Sequence, residues 1–358
     1  MKKILCCFIL VFGLCGCAAD MKDMYNLAFP TSMALDFKDE QFEVTLQIIN
    51  SNSLSKPELE SSINKGEILI TSAQGMSISD AIQKLENKLR MEIVLTNINT
   101  VFLTEKMTAK EPFDAFLNYL LINPELRLTT SMFINDGDIK DIFEVKHNIT
   151  SSPYFSLVAY TSQDRMSSLE LPDKALSILK NYYNNTEVSI IPNMDTDKES
   201  TLLSDGESGE QLRYDIKRLT LLDCQTFTTF NVEDVQGLEY LTNKESKNAV
   251  ELIKQEDSTI NFLIEGIKKS TFYKDGVFHV RLDTIISIGA SELDMDEQEI
   301  VNQITQHIET SVKETYATLL DHGIDYLRLQ NLNENPLTID KISFEVNVSL
   351  QTKTNYLK

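Results

Sequence analysis

Tryptophan and histidine are scarce in this sequence. Its 358 residues include no tryptophan and four histidines, and aromatic residues make up only 8%. Without tryptophan, a carbohydrate-stacking surface has little support. The histidines do not stand at metal-ligand spacing from one another, and no glycine-rich phosphate-binding loop is present. We therefore expect no metal ion, no cofactor and no enzymatic activity; the histidines are His147, His279, His307 and His322.

Basic residues are outnumbered by acidic ones. Lysine and arginine total 33 against 54 aspartates and glutamates, which gives a formal net charge of -21. Such a chain is repelled by phosphate backbones and by anionic lipid headgroups. Beyond the N-terminal segment, no apolar run reaches the roughly 20 residues of a transmembrane helix. The composition argues against nucleic acid as a partner, and membrane attachment must come from another feature.

Cysteine is almost confined to the N-terminus. Four of the five cysteines lie within the first 17 residues. Lys2 and Lys3 precede an apolar run over residues 4–14. That run is shorter than the roughly 20 residues of a membrane-spanning helix and is typical of a secretory signal peptide. The chain is therefore expected to be exported.

The end of the apolar run predicts lipid attachment. The stretch Leu14-Cys15-Gly16-Cys17 places an aliphatic residue three positions before Cys17 and a small residue directly before it, as in a lipoprotein signal. We expect removal of residues 1–16, a diacylglyceryl group on Cys17, and a lipidated tether over residues 17–28. Two acyl chains anchor a protein stably. The alternatives are a noncleaved anchor and an ordinary signal peptide, although an A-x-A-like cleavage site is lacking.

Hydrophobic periodicity predicts an α+β fold of mixed sheets with flanking helices. The chain length predicts two or three domains; a division into three places them at residues 29–165 (N-terminal), 166–258 (middle) and 259–358 (C-terminal). A long amphipathic helix over 294–323 belongs to the last domain, where it is expected to pack on the strands at 277–288 and 341–351. Further predicted helices cover 77–89, 111–122 and 172–185, and predicted strands cover 33–49 as a hairpin, 68–70, 92–104, 125–136, 187–192 and 218–230.

The middle of the chain gives weaker patterns. Residues 193–211 are acidic and polar and are interpreted as a mobile loop. Residues 243–254 are predicted to form a short helix. Cys224 lies within the predicted strand 218–230 and is expected to be a buried small hydrophobic residue. With Cys17 lipidated, Cys224 has no partner for an internal disulfide.

Two clusters deserve testing as sites. His279, Arg281 and Asp283 would share the polar face of one strand. This face is interpreted as a solvated surface or an interface, and the alternative is a functional site. Ser77 lies in a stretch that superficially resembles a nucleophile elbow, but the second glycine of that motif is replaced by Ser79. Ser77 is better explained as a helix N-cap that forms a capping box with Asp80.

A third pattern resembles the start of a calcium-binding loop. Asn193, Asp195 and Asp197 have the opening spacing of that loop. However, Lys198 stands where glycine is required and Ser204 where the bidentate glutamate should be. We therefore predict no calcium site there.

The order of several segments is similar to one known family. The stretches are "KDMYNLAFPTSMALDFKDEQFEVTLQII", "SISDAIQKLENKL", "PFDAFLNYLLINPELRLTTSMFI" and "VQGLEYLTNKESKNAVELI". The third is similar to a helix followed by D-P-E-[IL]-R, with Asn123 in place of aspartate. The fourth matches G-x-L-[ST]-x-x-E-[SA] at Gly237, Leu241, Thr242, Glu245 and Ser246. The sequence resembles the Ger(x)C family of spore germination lipoproteins, the C subunits of nutrient germinant receptors.

This resemblance implies a function that the residues alone do not. It implies a non-enzymatic subunit of three α+β domains, anchored by its lipid on the outer face of the spore inner membrane. There it would assemble with the A and B subunits of the receptor in a sporulating bacterium. Direct binding of a small-molecule germinant by this subunit is not implied. Alternatives are a stand-alone solute-binding or sensing lipoprotein and a surface hydrolase.

Overall fold

The fold was analysed in a computed structural model. The structure describes residues 26–49, 68–145, 157, 160, 167–202, 208–242, 250–255, 258–288, 296–333 and 337–351. The predicted signal peptide and the lipidation of Cys17 lie outside the described residues, as do most of the tether, His147 and Ser204. Within these ranges the chain is α+β with mixed sheets, which confirms the predicted fold class.

The larger sheet has eight strands in the order β10-β9-β8-β7-β6-β2-β3-β4. Its strands β2, β6, β7 and β8 run parallel, whereas β3, β4, β9 and β10 pair antiparallel with their neighbours. The short strands β1 (Leu27–Ala28) and β5 (Glu92–Ile93) form a separate parallel pair. The bounds of the eight are β2 Pro30–Lys38, β3 Gln41–Ile49, β4 Ile68–Gly75, β6 Thr100–Thr104, β7 Ser131–Asn135, β8 Ser189–Leu202, β9 Ser208–Asp223 and β10 Thr226–Asn231.

A tight turn fixes the register of the first hairpin. Asp39 and Glu40 both have positive φ, 51° and 59°, and the flanking residues Lys38 and Gln41 pair with each other. Two consecutive residues at positive φ are typical of a type I′ turn, whose twist matches that of the strands. The predicted hairpin is confirmed.

Helices cover both faces of the parallel strands. The helices are α1 (Ile78–Leu89), α2 (Lys110–Ile122), α3 (Ile139–Glu144) and α4 (Ala175–Asn184). One face of the parallel strands forms a core with helices α1, α2 and α4. The opposite face forms a second core, into which α3 packs. Burial on both faces is characteristic of parallel strands.

The smaller sheet has the order β11-β12-β13-β14. Its strands are β11 (Val250–Gln255), β12 (Ser258–Lys274), β13 (Val277–Ile288) and β14 (Ile342–Leu350). The long helix α6 (Glu297–Asp321) connects β13 to the parallel strand β14. The predicted packing is confirmed, because the apolar stripe of α6 shares a core with both strands; the stripe is Ile300, Ile304, Ile308, Val312 and Tyr316.

Helix α6 ends in a Schellman motif. Gly323 has φ +77°; its N–H donates to Leu320 O, and Ile324 N–H donates to Leu319 O, each at 2.9 Å. This pattern satisfies the last carbonyl groups of a helix and favours glycine at the left-handed position. Gly323 is thus the helix cap that the sequence predicts. Among the described residues, no helix is long and apolar enough to cross a membrane.

A short helix, α5 (Leu238–Leu241), joins the two sheets through α6. Gly237 N–H donates to Thr315 Oγ1 on α6 at 2.9 Å. Leu319, near the end of α6, packs into a core whose other members include residues of β8, β9 and β10. Helix α6 therefore contributes to the cores of both sheets.

Three predictions for the middle of the chain are wrong in the described residues. The supposed loop over 193–211 is the extension of β8 and β9, which pair as far as Leu202 and Ser208. Residues 250–254 of the supposed helix belong to β11, which pairs antiparallel with β12. Cys224 does not lie in a strand; it occupies the β9–β10 turn at φ +54° and is partly exposed.

The sequence places a domain boundary between residues 165 and 166. The eight-stranded sheet crosses this position, because β8, β9 and β10 follow it and the other five strands precede it. The three-domain division itself stays a prediction. One further difference concerns β7, which begins at Ser131 rather than at residue 125. Residues 123–130 form turns instead, although Leu126 is buried as expected.

Candidate functional site

The cluster predicted on β13 is a solvated surface. Arg281 Nε donates to Asp283 Oδ1 at 3.1 Å, and Asn347 Nδ2 donates to the same oxygen at 2.9 Å. These bonds, that of Asn347 foremost, lower the pKa of Asp283. The ring of His279 stacks on Phe272 with centroids 4.8 Å apart. Because the arginine and the aspartate are both about half exposed, their pairing contributes little to stability and forms no enclosed site.

The other two sequence candidates have structural roles. Ser77 Oγ accepts a hydrogen bond from Asp80 N–H at 3.1 Å, and the Asp80 carboxylate accepts from Met76 N–H at 2.9 Å. Ser77 is therefore the N-cap of α1. Compared with the standard capping box, aspartate replaces glutamate or glutamine, and the second donor is the N–H of Met76 instead of that of Ser77. Asn193 lies in β8, where it bonds Thr220 and Asp136. Within the described ranges, no three His, Cys, Asp or Glu side chains could hold a metal ion.

The other two described histidines are His307 on α6 and His322 directly after its end. Burial lowers the pKa of His307, which is half-buried. His322 Nδ1 lies 2.9 Å from Thr318 O, and its ring meets the edge of Phe230. Among the described residues, no hydrogen bond pairs either ring with a nucleophilic side chain.

The site that the sequence did not predict is a polar cavity at the junction of the two sheets, which we call the junction cavity. Its volume is about 350 Å³. One side is lined by α4, β8 and the short segments that precede each of them. The other side is lined by β12 and by the segment after α6. Its charged and polar lining residues include Asp173, Asn181, Glu187, Lys269, Tyr326 and Arg328.

A β-bulge directs Lys269 into the junction cavity. The register of β12 against β13 shifts between Ile264 and Gly266. As a result Ile267 packs on the α6 side of the sheet, and Lys269, two residues on, shares its face. Lys269 Nζ donates to Leu241 O at 2.5 Å. Burial lowers the pKa of this ammonium group, and the charge of Glu187 opposes the effect.

Arg328 enters the cavity from a loop held rigidly against α6. The Asp325 carboxylate accepts hydrogen bonds from Tyr316 OH (2.6 Å), Leu329 N–H (3.0 Å) and Gln330 N–H (2.9 Å). Arg328 itself has φ +54°. Such a conformation is unusual for a non-glycine residue and persists only where the surroundings hold it.

The guanidinium of Arg328 is only partly satisfied. Its Nη2 donates to Asp223 Oδ1 and to Asn185 Oδ1, both at 2.7 Å. Its Nε is buried and has no hydrogen-bond partner among the described residues. A buried donor that lacks an acceptor costs about 1–3 kcal/mol. Because this nitrogen has almost no accessible surface, the missing hydrogen bond is a local cost of the fold.

Acidic groups line the opposite side. Asp173 Oδ2 accepts from Ile190 N–H at 2.7 Å, which ties the segment before α4 to β8. Glu187 is exposed at the rim. Asn181 on α4 donates to Ser189 and accepts from Thr186. The cavity thus presents two cations and two carboxylates contributed by elements of both sheets.

Sequence reasoning missed this cavity because its residues are distant along the chain. One signal was available, since Lys268 and Lys269 are adjacent in a strand and adjacent side chains point to opposite faces. One of the two lysines had to face the helix-covered side of the sheet. The sequence gives no indication that Arg328 lies opposite.

The chain was compared with protein families and with curated proteins. Residues 20–196 match the family model described as spore germination protein N-terminal domain. Spore germination protein B3 of Bacillus subtilis (strain 168) is 27% identical over 137 residues, which are 38% of this chain and 35% of that protein. A second chain from the same strain, YfkR, is 28% identical over 159 residues, 43% of this chain and 41% of YfkR. The matched stretches thus span well under half of these relatives.

The fold has a counterpart among solved structures. The crystal structure of the GerBC protein aligns with a TM-score of 0.50 and 15% sequence identity, covering 89% of this chain and 96% of that one. At this identity the likeness speaks for the fold alone. The family model and the relatives in Bacillus subtilis confirm the resemblance found in the sequence. Over residues 20–196 the chain belongs to the Ger(x)C family of spore germination proteins.

Proposed function

We propose that the chain is a lipid-anchored, non-enzymatic C subunit of a spore nutrient germinant receptor. It acts on the outer face of the spore inner membrane together with membrane-bound A and B subunits. The observation that carries the proposal is the match of residues 20–196 to the spore germination domain. The match begins at residue 20, three positions after Cys17, the cysteine expected to carry the lipid.

Lipid attachment explains how an acidic protein works at a membrane. With a net charge of -21, the folded body gains nothing from anionic lipid. A diacylglyceryl anchor confines it to the surface where the partner subunits lie. Confinement turns subunit association into a nearly intramolecular step with a high effective concentration.

A deletion experiment tests the proposal. Spores lacking this gene are scored by loss of optical density against a panel of nutrients and against a trigger that bypasses receptors. Complementation uses the wild type, Cys17→Ala and, as matched control, Cys15→Ala. We expect the deletion to abolish the response to particular nutrients only, Cys15→Ala to restore it fully, and Cys17→Ala to restore it partly or not at all.

Two results would contradict parts of this proposal. Unchanged germination on every nutrient, with no A or B subunit recovered alongside the chain from detergent-solubilised spore membranes, would refute the receptor role and favour a stand-alone solute-binding lipoprotein. Full rescue by a Cys17→Ala protein that remains unanchored would refute the role of the lipid.

A further inference from the structure

We propose that a groove between α1 and the end of α2 binds a short segment of a protein partner in which basic residues stand next to apolar ones. This groove, which we call the α1–α2 groove, has a volume of about 630 Å³ and shares no lining residue with the junction cavity. It is lined by α1, by β5 and the turn after it, and by the end of α2 with the residues that follow. The proposal concerns the chemistry of the bound segment and does not depend on the receptor role.

Two exposed apolar side chains border the α1–α2 groove. Ile122 is 80% exposed and Met76 is 69% exposed, the highest values among the exposed large hydrophobic residues of the described chain. Ile122 follows the groove residue Tyr119 by three positions, and residues three apart are neighbours on a helix surface. Met76 directly precedes the groove residue Ser77, and its N–H donates to Asp80, another groove residue. Apolar side chains exposed beside a groove are typical of a surface that contacts another protein.

The floor of the α1–α2 groove is apolar. Its lining includes Ile82 of α1, Ile93 of β5 and Leu95, all of them buried. Between Ser77 and Glu86 the groove follows α1 for about 14 Å, at a rise of about 1.5 Å per residue. This distance corresponds to about ten residues of a helix or about four of an extended strand. The floor is therefore long enough to receive several apolar side chains of one segment.

The walls of the groove carry charge of one sign. Among the described residues that line it there is no lysine or arginine, whereas four carboxylates are present, those of Asp80, Glu86, Glu92 and Glu125. Glu86 accepts a hydrogen bond from Ile93 N–H at 3.1 Å, and Glu125 accepts one from Leu95 N–H at 3.5 Å. These backbone donors carry no formal charge and do not compensate the carboxylates. Lysine or arginine side chains of a bound segment would do so, and an acidic segment would be repelled.

Other occupants match the groove less well. A metal ion is disfavoured, because no three His, Cys, Asp or Glu side chains in the described part of the chain could hold one. An anionic lipid headgroup would meet the carboxylates as like charges. A polypeptide segment with both basic and apolar side chains satisfies the walls and the floor together.

Site-specific photo-cross-linking of the full chain in spore membranes tests the proposal. A benzophenone amino acid replaces Gln83, an exposed groove residue of α1, and in a second strain it replaces Gln306, an exposed residue of α6 outside the groove. After irradiation, mass spectrometry identifies the peptide joined to each position. We expect position 83 to yield one protein segment with several lysine or arginine residues beside apolar ones, and position 306 not to yield that segment.

Matched variants connect the cross-link to the groove. Glu125→Lys should lower the yield at position 83 about threefold or more, since an attractive charge pair becomes a repulsive one. Glu309→Lys makes the same charge change at an exposed position of α6 and should leave the yield unchanged. Ile122→Ser removes the most exposed of these apolar side chains and should lower the yield as Glu125→Lys does. All three positions are exposed, so the purified variants should melt at the wild-type temperature, which circular dichroism checks.

Three outcomes would overturn the inference. The first is a product at position 83 that is absent, is a lipid, or equals the product at position 306. The second is a cross-linked segment without basic residues. The third is an unchanged yield in both Glu125→Lys and Ile122→Ser. A basic and apolar segment from a protein that is not a receptor subunit would still support the inference, so this inference and the proposed function fail separately.

Discussion

Replacement of Gly237 by alanine should break the contact that joins α5 to α6. A Cβ added at Gly237 would lie 2.3 Å from Ser311 O and 2.8 Å from Thr315 Oγ1. The first neighbour is backbone of the long helix and cannot rotate away. The alanine methyl therefore has to push α5 off α6, which also breaks the 2.9 Å hydrogen bond from Gly237 N–H to Thr315 Oγ1.

The magnitude follows from these two effects. Overpacking a close contact costs about 1–3 kcal/mol, and leaving a buried backbone N–H unpaired costs about 1–3 kcal/mol more. We expect Gly237→Ala to lower the free energy of unfolding by about 3 kcal/mol, since relaxation around the methyl offsets part of the sum. Urea-induced unfolding of the full chain in detergent, followed by circular dichroism, measures this difference.

The matched control is Gly266→Ala. A Cβ at Gly266 meets nothing within 4 Å, so the free energy of unfolding should stay within about 0.5 kcal/mol of the wild type. The same small effect for Gly237→Ala would refute the close approach of α5 and α6.

Two further predictions concern the core and the thiol. Ile304→Asp places a carboxylate without a described partner at a fully buried position of α6. The variant should destabilise the chain by about 3 kcal/mol or more. Gln306→Asp, on the exposed face, is the control, and equal thermal melts for the two variants would contradict the packing. Burial, and secondly the charge of Asp223, raise the pKa of the Cys224 thiol. Because the thiolate is the reactive form, iodoacetamide should modify Cys224 in the folded chain with a midpoint at higher pH than in the urea-unfolded chain. Mass spectrometry at several pH values measures both midpoints, and coincident midpoints would contradict the prediction.

Sequence reasoning succeeded where one face of an element meets a single core. The stripe from Ile300 to Tyr316 has helical spacing, and the alternation of Ile342, Phe344 and Val346 has strand spacing; both patterns fix which side is buried. The capped start of α1 at Ser77 was predictable for a similar reason, because capping depends on residues a few positions apart.

The errors arise where the local sequence carries no such pattern. The outer parts of β8 and β9 are polar, so their pairing is not visible as apolar alternation. The turn at Cys224 adopts a left-handed conformation without the glycine or asparagine that normally marks it. The strand β11 lies in a sequence rich in good helix formers, and its pairing with β12 overrides that propensity.

The junction of the two sheets could not be predicted because one helix serves both. The apolar stripe of α6 fits a single sheet, yet Leu319 packs toward the larger sheet and Thr315 receives Gly237. The loop that follows α6 carries Arg328 into the junction cavity through the hydrogen bonds of Asp325. The packing contact and the cavity therefore depend on the same helix, and no local pattern in the sequence indicates that α6 contacts both sheets.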